Sequence, residues 1–160
     1  MTTNQFLATW ENGLVTKNPD ALQDCAGQLA KILEKEGRSR TIVLKGDMGA
    51  GKTTFTQGLA AGWGIKQAVT SPTFNLLNCY RGESWTLLHL DAYRLRPGDA
   101  TDVLLLDELK KEPWCLVIEW PENVPDLANG VDAIQLQLTA VDLDTPEPGR
   151  RLQWIPTEPY

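Results

Sequence analysis

The chain has 160 residues and a mass of 17.8 kDa, and 42% of its residues are hydrophobic. This length predicts a single domain over residues 1–160, large enough to bury its own core of sheet and helices. The formal charge of −6, from 21 acidic and 15 basic side chains, opposes non-specific nucleic-acid binding, which depends on Lys and Arg. Three widely spaced cysteines predict reduced thiols in a cytoplasmic protein. The sequence contains no long apolar run of the kind found in signal peptides and membrane spans, so neither secretion nor membrane insertion is predicted.

The first third of the chain predicts two strands and two helices. The first ten residues favour an edge strand. Asn18-Pro19 then supplies an N-cap and a first-turn proline, and a helix follows in which apolar residues recur at intervals of three and four until Gly37. The β-branched run Thr41–Leu44 predicts the next strand, and the second helix is expected over Lys52–Trp63.

The rest of the chain predicts mostly strands. The expected elements are a short strand at Ala68-Val69, a hairpin of Phe74–Tyr80 with Trp85–Leu90, helical structure within Pro97–Pro113, a buried strand at Trp114–Ile118, and a hairpin of Ala133–Leu138 with Leu152–Trp154. Together these elements predict an α/β domain in which parallel central strands carry crossover helices and antiparallel hairpins form the edges.

Residues 46–53 read Gly-Asp-Met-Gly-Ala-Gly-Lys-Thr and fit the pattern G-x-x-x-x-G-K-[ST] between a predicted strand and a predicted helix. Glycines let successive N–H groups turn toward phosphate oxygens, and the helix directs its positive end at the same charge. We expect Lys52 to reach the β and γ phosphates and the Thr53 hydroxyl to bind magnesium. The pattern predicts a P-loop NTPase fold, a three-layer sandwich, that binds ATP or GTP with Mg²⁺.

ATP is the favoured nucleotide, with ADP as its product, because the chain has no N-K-x-D or T-K-x-D segment that would read guanine. The residues predicted to hold the nucleotide in this segment are Gly46, Asp47, Met48, Gly49, Ala50, Gly51, Lys52, Thr53 and Thr54.

Two carboxylates follow apolar strands. Asp91 ends the run Leu87–Leu90, and Glu119 ends the run Cys115–Ile118, so both are predicted at the carboxyl edge of the sheet, where open α/β folds bind ligands. Either carboxylate is a candidate to hold magnesium through a water or to orient the attacking water, and spacing does not separate these roles. The alternative is that each is a solvated carboxylate just past a strand.

Three further residues have two interpretations each. Thr73, in Ser71-Pro72-Thr73-Phe74, is either a second hydroxyl for magnesium or part of an ordinary turn. His89 is the only histidine, and on an apolar strand such a residue is more often structural than catalytic. Trp120 is either a packing aromatic or a wall of the nucleotide site beside Glu119.

Four segments together resemble the TsaE (YjeE) family of small bacterial ATPases: residues 46–55 (GDMGAGKTTF), 71–74 (SPTF), 89–95 (HLDAYRL) and 118–122 (IEWPE). The resemblance extends over about residues 18 to 155. It implies ATP hydrolysis coupled to a complex of the proteins TsaB and TsaD that forms threonylcarbamoyladenosine in tRNA. The small chain has no evident lid segment, which predicts low basal activity and activation by these partners. The charge of −6 predicts that tRNA is reached mainly through that complex.

The resemblance assigns roles by position. Lys52 and Thr53 match the phosphate and magnesium residues, and Thr73 matches the switch threonine. Asp91 matches the essential aspartate, and Glu119 with Trp120 matches the Glu-Trp pair. The resemblance therefore implies a catalytic set of Lys52, Asp91 and Glu119, nucleotide contacts that include Thr73 and Trp120, and magnesium ligands drawn from Thr53, Thr73, Asp91 and Glu119.

Two other functions fit the same phosphate motif. A small-molecule kinase of this length needs an acceptor pocket and usually a mobile basic lid, and the basic pairs of this chain are not in a long glycine-flanked loop. A module that docks to a partner according to its bound nucleotide would have almost the same sequence. Phosphate release without a phosphorylated metabolite separates hydrolysis from kinase activity.

Overall fold

The computed structural model describes residues 1–72, 76–96, 106–130, 132–141, 144–146 and 149–157. The helices are α1 (Thr3–Ala8), α2 (Pro19–Glu36), α3 (Lys52–Gly62), α4 (Leu106–Leu109) and α5 (Pro125–Ala128), with a 3-10 helix at Pro121–Asn123. The strands are β1 (Leu14–Thr16), β2 (Arg40–Lys45), β3 (Leu77–Arg81), β4 (Thr86–Asp91), β5 (Trp114–Glu119), β6 (Ile134–Val141) and β7 (Gly149–Ile155).

One sheet contains these strands in the order β1-β7-β6-β2-β5-β4-β3. The central strands β6, β2, β5 and β4 are parallel, and the outer pairs β1–β7, β7–β6 and β4–β3 are antiparallel. In this register Glu119 pairs with Leu44 on one side and with Asp91 on the other. The carboxyl ends of β2, β5 and β4 therefore lie side by side, which confirms the predicted sheet.

Helices cover both faces of the sheet. Residues of α1, α2 and α3 bury one face, where Leu29 and Phe55 belong to the same buried cluster as Ile42 and Leu136. The shorter α4, the 3-10 helix and α5 lie on the other face, where Leu106 belongs to the same buried cluster as strand residues of β4 and β5. This arrangement is the three-layer α/β sandwich predicted from the sequence.

Helix α2 has the predicted ends. The Asn18 side chain accepts a hydrogen bond from the Ala21 N–H at 2.8 Å, and Pro19 fills the first turn. Gly37 ends the helix with a φ of +71°, a conformation that glycine adopts without a Cβ clash. Among the described residues, no helix is both long and apolar enough to cross a bilayer.

The predicted edge strand over the first ten residues is wrong. Thr2 and Gln5 form a reciprocal capping box that starts α1, and the edge strand lies later, at Leu14–Thr16. The helix buries Leu7 completely, and Trp10, just beyond its end, packs edge-on against Phe55 at 6.3 Å. Local capping and this apolar face outweigh the strand propensity of the segment.

The predicted strand at Ala68-Val69 is also wrong. The segment is irregular, and side chains rather than a strand partner satisfy its backbone. The Gln57 side chain donates to the Val69 carbonyl at 3.0 Å, and the Thr70 N–H donates to the Tyr80 hydroxyl at 3.2 Å.

The other elements follow the predictions, with shifts of a few residues at their ends. The first predicted hairpin forms between β3 and β4, and the second forms between β6 and β7. The first part of each of two predictions, residues 74–75 of the hairpin and residues 97–105 of the helical segment, lies outside the described residues.

Cys115 is buried in β5, while Cys25 and Cys79 are half-buried, and all three are free thiols. Burial raises the pKa of the Cys115 thiol well above its usual value, and the nearby Arg40 guanidinium offsets only part of this effect. Burial and the charge of Asp24 likewise raise the pKa of Cys25. Both thiols are therefore held in the unreactive protonated form.

Helices α2 and α3 approach each other through glycines. A Cβ added at Gly58 would lie 2.5 Å from the Gln23 carbonyl oxygen and 2.8 Å from the Ala26 Cβ. A Cβ added at the facing Gly27 would meet only the Gly58 carbonyl oxygen, at an ordinary 3.6 Å.

We expect Gly58→Ala to lower the free energy of unfolding by about 1 to 3 kcal/mol, because the two backbones must separate. Gly27→Ala is the matched control in the same interface, and we expect it to be neutral or to stabilise the protein by up to about 1 kcal/mol through helix propensity. Urea unfolding followed by circular dichroism measures both. Equal losses in the two variants would contradict the close approach at Gly58.

Candidate functional site

A glycine-rich loop, residues 46–51, connects β2 to α3. Gly49 and Gly51 have φ values of +81° and +103°, in the left-handed region that favours glycine. The Ala50 N–H donates to the Asp47 carbonyl at 3.0 Å and closes the turn. Because Gly51 is the N-cap and has no side chain, α3 begins without a side-chain cap, and its first N–H groups point into the loop.

Gly46 is required by packing. A Cβ at this position would lie 2.5 Å from the Leu138 carbonyl oxygen in β6 and 3.0 Å from the Ala50 Cβ. The loop therefore rests directly on the backbone of the neighbouring strand β6, and its position is fixed by the sheet.

Lys52 is the first residue of α3 and is only 7% exposed. Its ammonium donates to the Gly46 carbonyl at 2.8 Å and lies 3.8 Å from Oε1 of Glu119. It also lies 4.6 Å above the centre of the Trp120 ring, within the range of a cation–π contact. The loop, the strand end and an aromatic ring thus hold this cation at the helix N-terminus.

Glu119 ends β5 and is buried. Its Oε2 contacts the Nε2 of His89, which lies on β4 and is fully buried, while its Oε1 faces Lys52. The carboxylate is therefore held between a ring and a cation, so it is not the solvated side chain of the alternative interpretation.

Asp91 ends β4 and is partly exposed. Its Oδ1 accepts a hydrogen bond from the Tyr93 N–H at 3.0 Å, which forms a tight turn after the strand. The Tyr93 ring lies 5.0 Å from the Trp120 ring at an angle of 58°. Aromatic side chains therefore connect the exits of β4 and β5.

Trp120 has a φ of +58°, which is unusual for a residue with a side chain. Backbone hydrogen bonds on both sides hold it there: the Ala92 N–H donates to the Glu119 carbonyl at 3.0 Å, and the Asn123 N–H donates to the Trp120 carbonyl at 3.2 Å. A non-glycine residue in this region costs on the order of 1 to 3 kcal/mol, so the surrounding contacts must impose the conformation.

These groups line a cleft of about 570 Å³. The lining residues are Met48, Gly49, Gly51, Lys52, Thr53, Thr54, Ser71, Leu76, Asp91, Tyr93, Arg94, Glu119, Trp120 and Arg150. Three predicted nucleotide residues are not among them: Gly46 lies beneath Lys52, Asp47 is exposed, and Ala50 is buried in the core. Thr73 lies outside the described residues.

Leu76 and Arg150 line the cleft but were not predicted as site residues. Arg150 is on β7, where it pairs with Thr16 of β1, and the Thr16 hydroxyl donates to the Arg150 carbonyl at 3.2 Å. No motif marks Arg150, since only the order of the strands brings it near the glycine-rich loop. Leu76, with a φ of +61°, directly precedes β3.

The cleft has the chemistry of a phosphate site with a cation nearby. Uncapped N–H groups and Lys52 attract anions, while the Thr53 hydroxyl and two carboxylates are oxygen ligands of the kind that Mg²⁺ prefers. Among the described residues, no three His, Cys, Asp or Glu side chains form a complete metal site.

The chain is similar to known proteins over most of its length, not only at the cleft. The family model described as "Threonylcarbamoyl adenosine biosynthesis protein TsaE" matches residues 16–150. A tRNA threonylcarbamoyladenosine biosynthesis protein TsaE from Streptomyces coelicolor is 36% identical over 135 residues, which cover 82% of this chain and 87% of that protein. The protein of the same name from Bacillus subtilis is 39% identical over 111 residues, covering 69% and 67%.

A TsaE protein from Nostoc sp. is 42% identical over 87 residues, so the match spans 52% of this chain and about half of that relative, 54%. Among solved structures, the crystal structure of Bacillus subtilis YdiB superposes with a TM-score of 0.66 at 28% identity and covers 89% of this chain and 82% of that one.

We expect Glu119→Gln to lower the free energy of unfolding by about 1 to 3 kcal/mol, because it leaves the buried Lys52 ammonium without its opposite charge. Asp91→Asn is the matched control at the neighbouring strand end, and its partly exposed side chain predicts a change below about 1 kcal/mol. Urea unfolding in nucleotide-free buffer measures both. An unchanged or higher midpoint for Glu119→Gln would show that the Lys52–Glu119 contact adds no net stability.

Proposed function

The chain belongs to the TsaE family, whose model matches residues 16–150, and from this premise we propose that it binds ATP with Mg²⁺ and hydrolyses it in support of threonylcarbamoyladenosine formation in tRNA. The observation that carries the proposal is the convergence of Lys52, Asp91 and Glu119 on one cleft at the uncapped N-terminus of α3. A cation, a helix N-terminus and two carboxylates at one sheet edge are the parts that phosphoryl transfer requires.

Lys52 and the glycine-rich loop hold the phosphates. The Lys52 ammonium lies at the N-terminus of α3, where it donates to the Gly46 carbonyl at 2.8 Å. A β or γ phosphate oxygen replaces that carbonyl as its acceptor, at little cost because the ammonium stays desolvated and paired. The N–H groups of the loop and of the first turn of α3 donate to the same phosphates.

Thr53, next to Lys52 at the start of α3, supplies its hydroxyl to magnesium, and Asp91 is the second candidate ligand, through a water. When bound, Mg²⁺ neutralises charge that develops on the phosphates. Glu119 is the candidate to orient the attacking water, because it is buried and its Oε1 faces the cleft beside Lys52. In these roles Asp91 helps to hold magnesium, and Glu119 orients the attacking water.

TsaB and TsaD are the proposed partners, on the basis of the family. The cleft is open at Met48 and Tyr93, whose side chains are 84% and 59% exposed. Exposed apolar side chains at the mouth of a polar cleft suit a surface that a partner protein covers.

A group supplied by a partner is worth a factor of about 10³ to 10⁵ in phosphoryl transfer, so the isolated chain is expected to hydrolyse ATP slowly. With a charge of −6, the chain meets tRNA through these partners. The proposed location is the cytoplasm.

We expect Lys52→Ala to weaken ATP binding at least 10-fold, because it removes the cation from the phosphate site. Lys45→Ala is the matched control: Lys45 is the exposed last residue of β2, just before the loop, and the same charge is lost. We expect this control to stay within about 2-fold of the wild type, since exposed charges act weakly. Calorimetric titration with ATP and Mg²⁺ measures both. Equal affinities in Lys52→Ala and wild type would contradict phosphate binding at this loop.

Hydrolysis is tested by phosphate release from the chain alone and with TsaB and TsaD. We expect slow release alone, an increase of about 10³-fold or more with the partners, and a loss of about 10² or more in Glu119→Gln while ATP binding stays within 3-fold. ADP formation that depends on a small-molecule acceptor, and that yields the phosphorylated acceptor, would instead indicate a kinase. Wild-type release rates in both carboxylate variants, Glu119→Gln and Asp91→Asn, with only partner docking lost, would indicate a nucleotide-dependent binding module.

A further inference from the structure

His89 is a buried polar residue among the leucines at the centre of β4. Its side chain is fully buried, and its neighbours Leu88 and Leu90 are core residues. Its Nε2 contacts Oε2 of Glu119, while its Nδ1 has no hydrogen-bond partner among the described residues. Burying a polar atom without a partner costs free energy, so an aliphatic residue would serve better if this position only filled space.

The strand register explains how His89 reaches Glu119. In the parallel pairing of β4 with β5, His89 lies opposite Val117 and Asp91 lies opposite Glu119. Side chains alternate along a strand, so His89 and Glu119 share the face that carries Leu87 and Val117, which is the face covered by α3. The His89 ring therefore contacts the side of the Glu119 carboxylate that is turned away from the cleft.

We propose that His89 is a positioning residue for Glu119, and this proposal rests on the ATP hydrolysis proposed above. A carboxylate only accepts hydrogen bonds, so the Nε2 of His89 carries the proton of this contact. The ring fixes Oε2 and thereby sets the plane of the carboxylate, which leaves Oε1 directed at Lys52 and the cleft. The ring does not line the cleft, so it acts on the reaction through Glu119.

Without the ring, the carboxylate is free to rotate about its last side-chain bond. Both oxygens then become available to the Lys52 ammonium, 3.8 Å from Oε1. A symmetric pairing with Lys52 would turn Glu119 away from the water it is proposed to orient, while the loop and Lys52 still bind phosphate. Loss of the ring therefore lowers kcat rather than ATP affinity.

The contact itself is tested without ATP, because the chain contains a single histidine and its imidazole signals need no assignment. In ¹⁵N-histidine-labelled full-length protein we expect one protonated Nε2 whose hydrogen exchanges slowly with water. In Glu119→Ala we expect that proton signal to shift or to vanish through exchange. A proton on Nδ1 alone, or an Nε2 signal unchanged in Glu119→Ala, would overturn the proposal.

The positioning role is tested by comparing His89→Gln with His89→Leu in single-turnover ATP hydrolysis. The amide nitrogen of Gln reaches about as far as Nε2 of His and donates a hydrogen bond, whereas Leu does not. We expect His89→Leu to lose about 10-fold or more in rate with ATP affinity within 3-fold, and His89→Gln to recover most of the rate. Leu88→Ala is the control for lost stability, since Leu88 is equally buried but faces the opposite side of the sheet.

Each outcome separates the two proposals. Equal rates in His89→Leu and wild type, or equal losses in His89→Leu and Leu88→Ala at matched temperature below unfolding, would overturn the positioning role while hydrolysis stands. A wild type that releases no phosphate with or without partners would overturn the proposed function, and the imidazole spectrum would still decide whether His89 holds Glu119.

Discussion

The parallel pairing of β2, β5 and β4 is the constraint on which the site depends. It places Glu119 between Leu44 and Asp91 at one edge of the sheet, and the glycine-rich loop leaves β2 at that same edge. A shift of the β5 register by one residue would turn Glu119 to the opposite face and remove it from Lys52. Residues of one parity in these strands pack in one buried cluster and residues of the other parity pack in the second cluster, so such a shift would also exchange the side chains packed on the two faces.

The buried charges of the site are stabilised by each other. Lys52 and Glu119 are both nearly inaccessible, and neither would be stable at that depth alone. The Gly46 carbonyl and the Trp120 ring complete the surroundings of the ammonium. These contacts hold the ammonium and the carboxylate in one fixed arrangement, and for the proposed hydrolysis such preorganisation is a general source of catalytic power.

Local signals in the sequence predict much of this structure, and most of what they do not predict depends on contacts between residues far apart in the chain. Residues 46–53 specify their own turn, and Asp91 and Glu119 were found because an apolar run that ends in an acid marks a strand end. The contact of His89 with Glu119 depends on cross-strand register, which spacing along the chain does not show. Arg150 depends on the strand order β1-β7-β6-β2 for the same reason. Helix α1 is a local exception, since its start depends on the reciprocal capping of Thr2 and Gln5, which outweighs the strand propensity of the segment.

The short β1 strand supports one wall of the cleft through its pairing with β7. Its three residues hold the outer edge of β7, and Thr16 bonds the backbone of Arg150 across a separation of 134 residues. A version of this chain that starts at Asn18 would keep every recognisable motif and still lose the support of one wall of the cleft. Boundaries for shortened forms of this protein are therefore better chosen by the pairing of its outer strands than by the extent of its motifs.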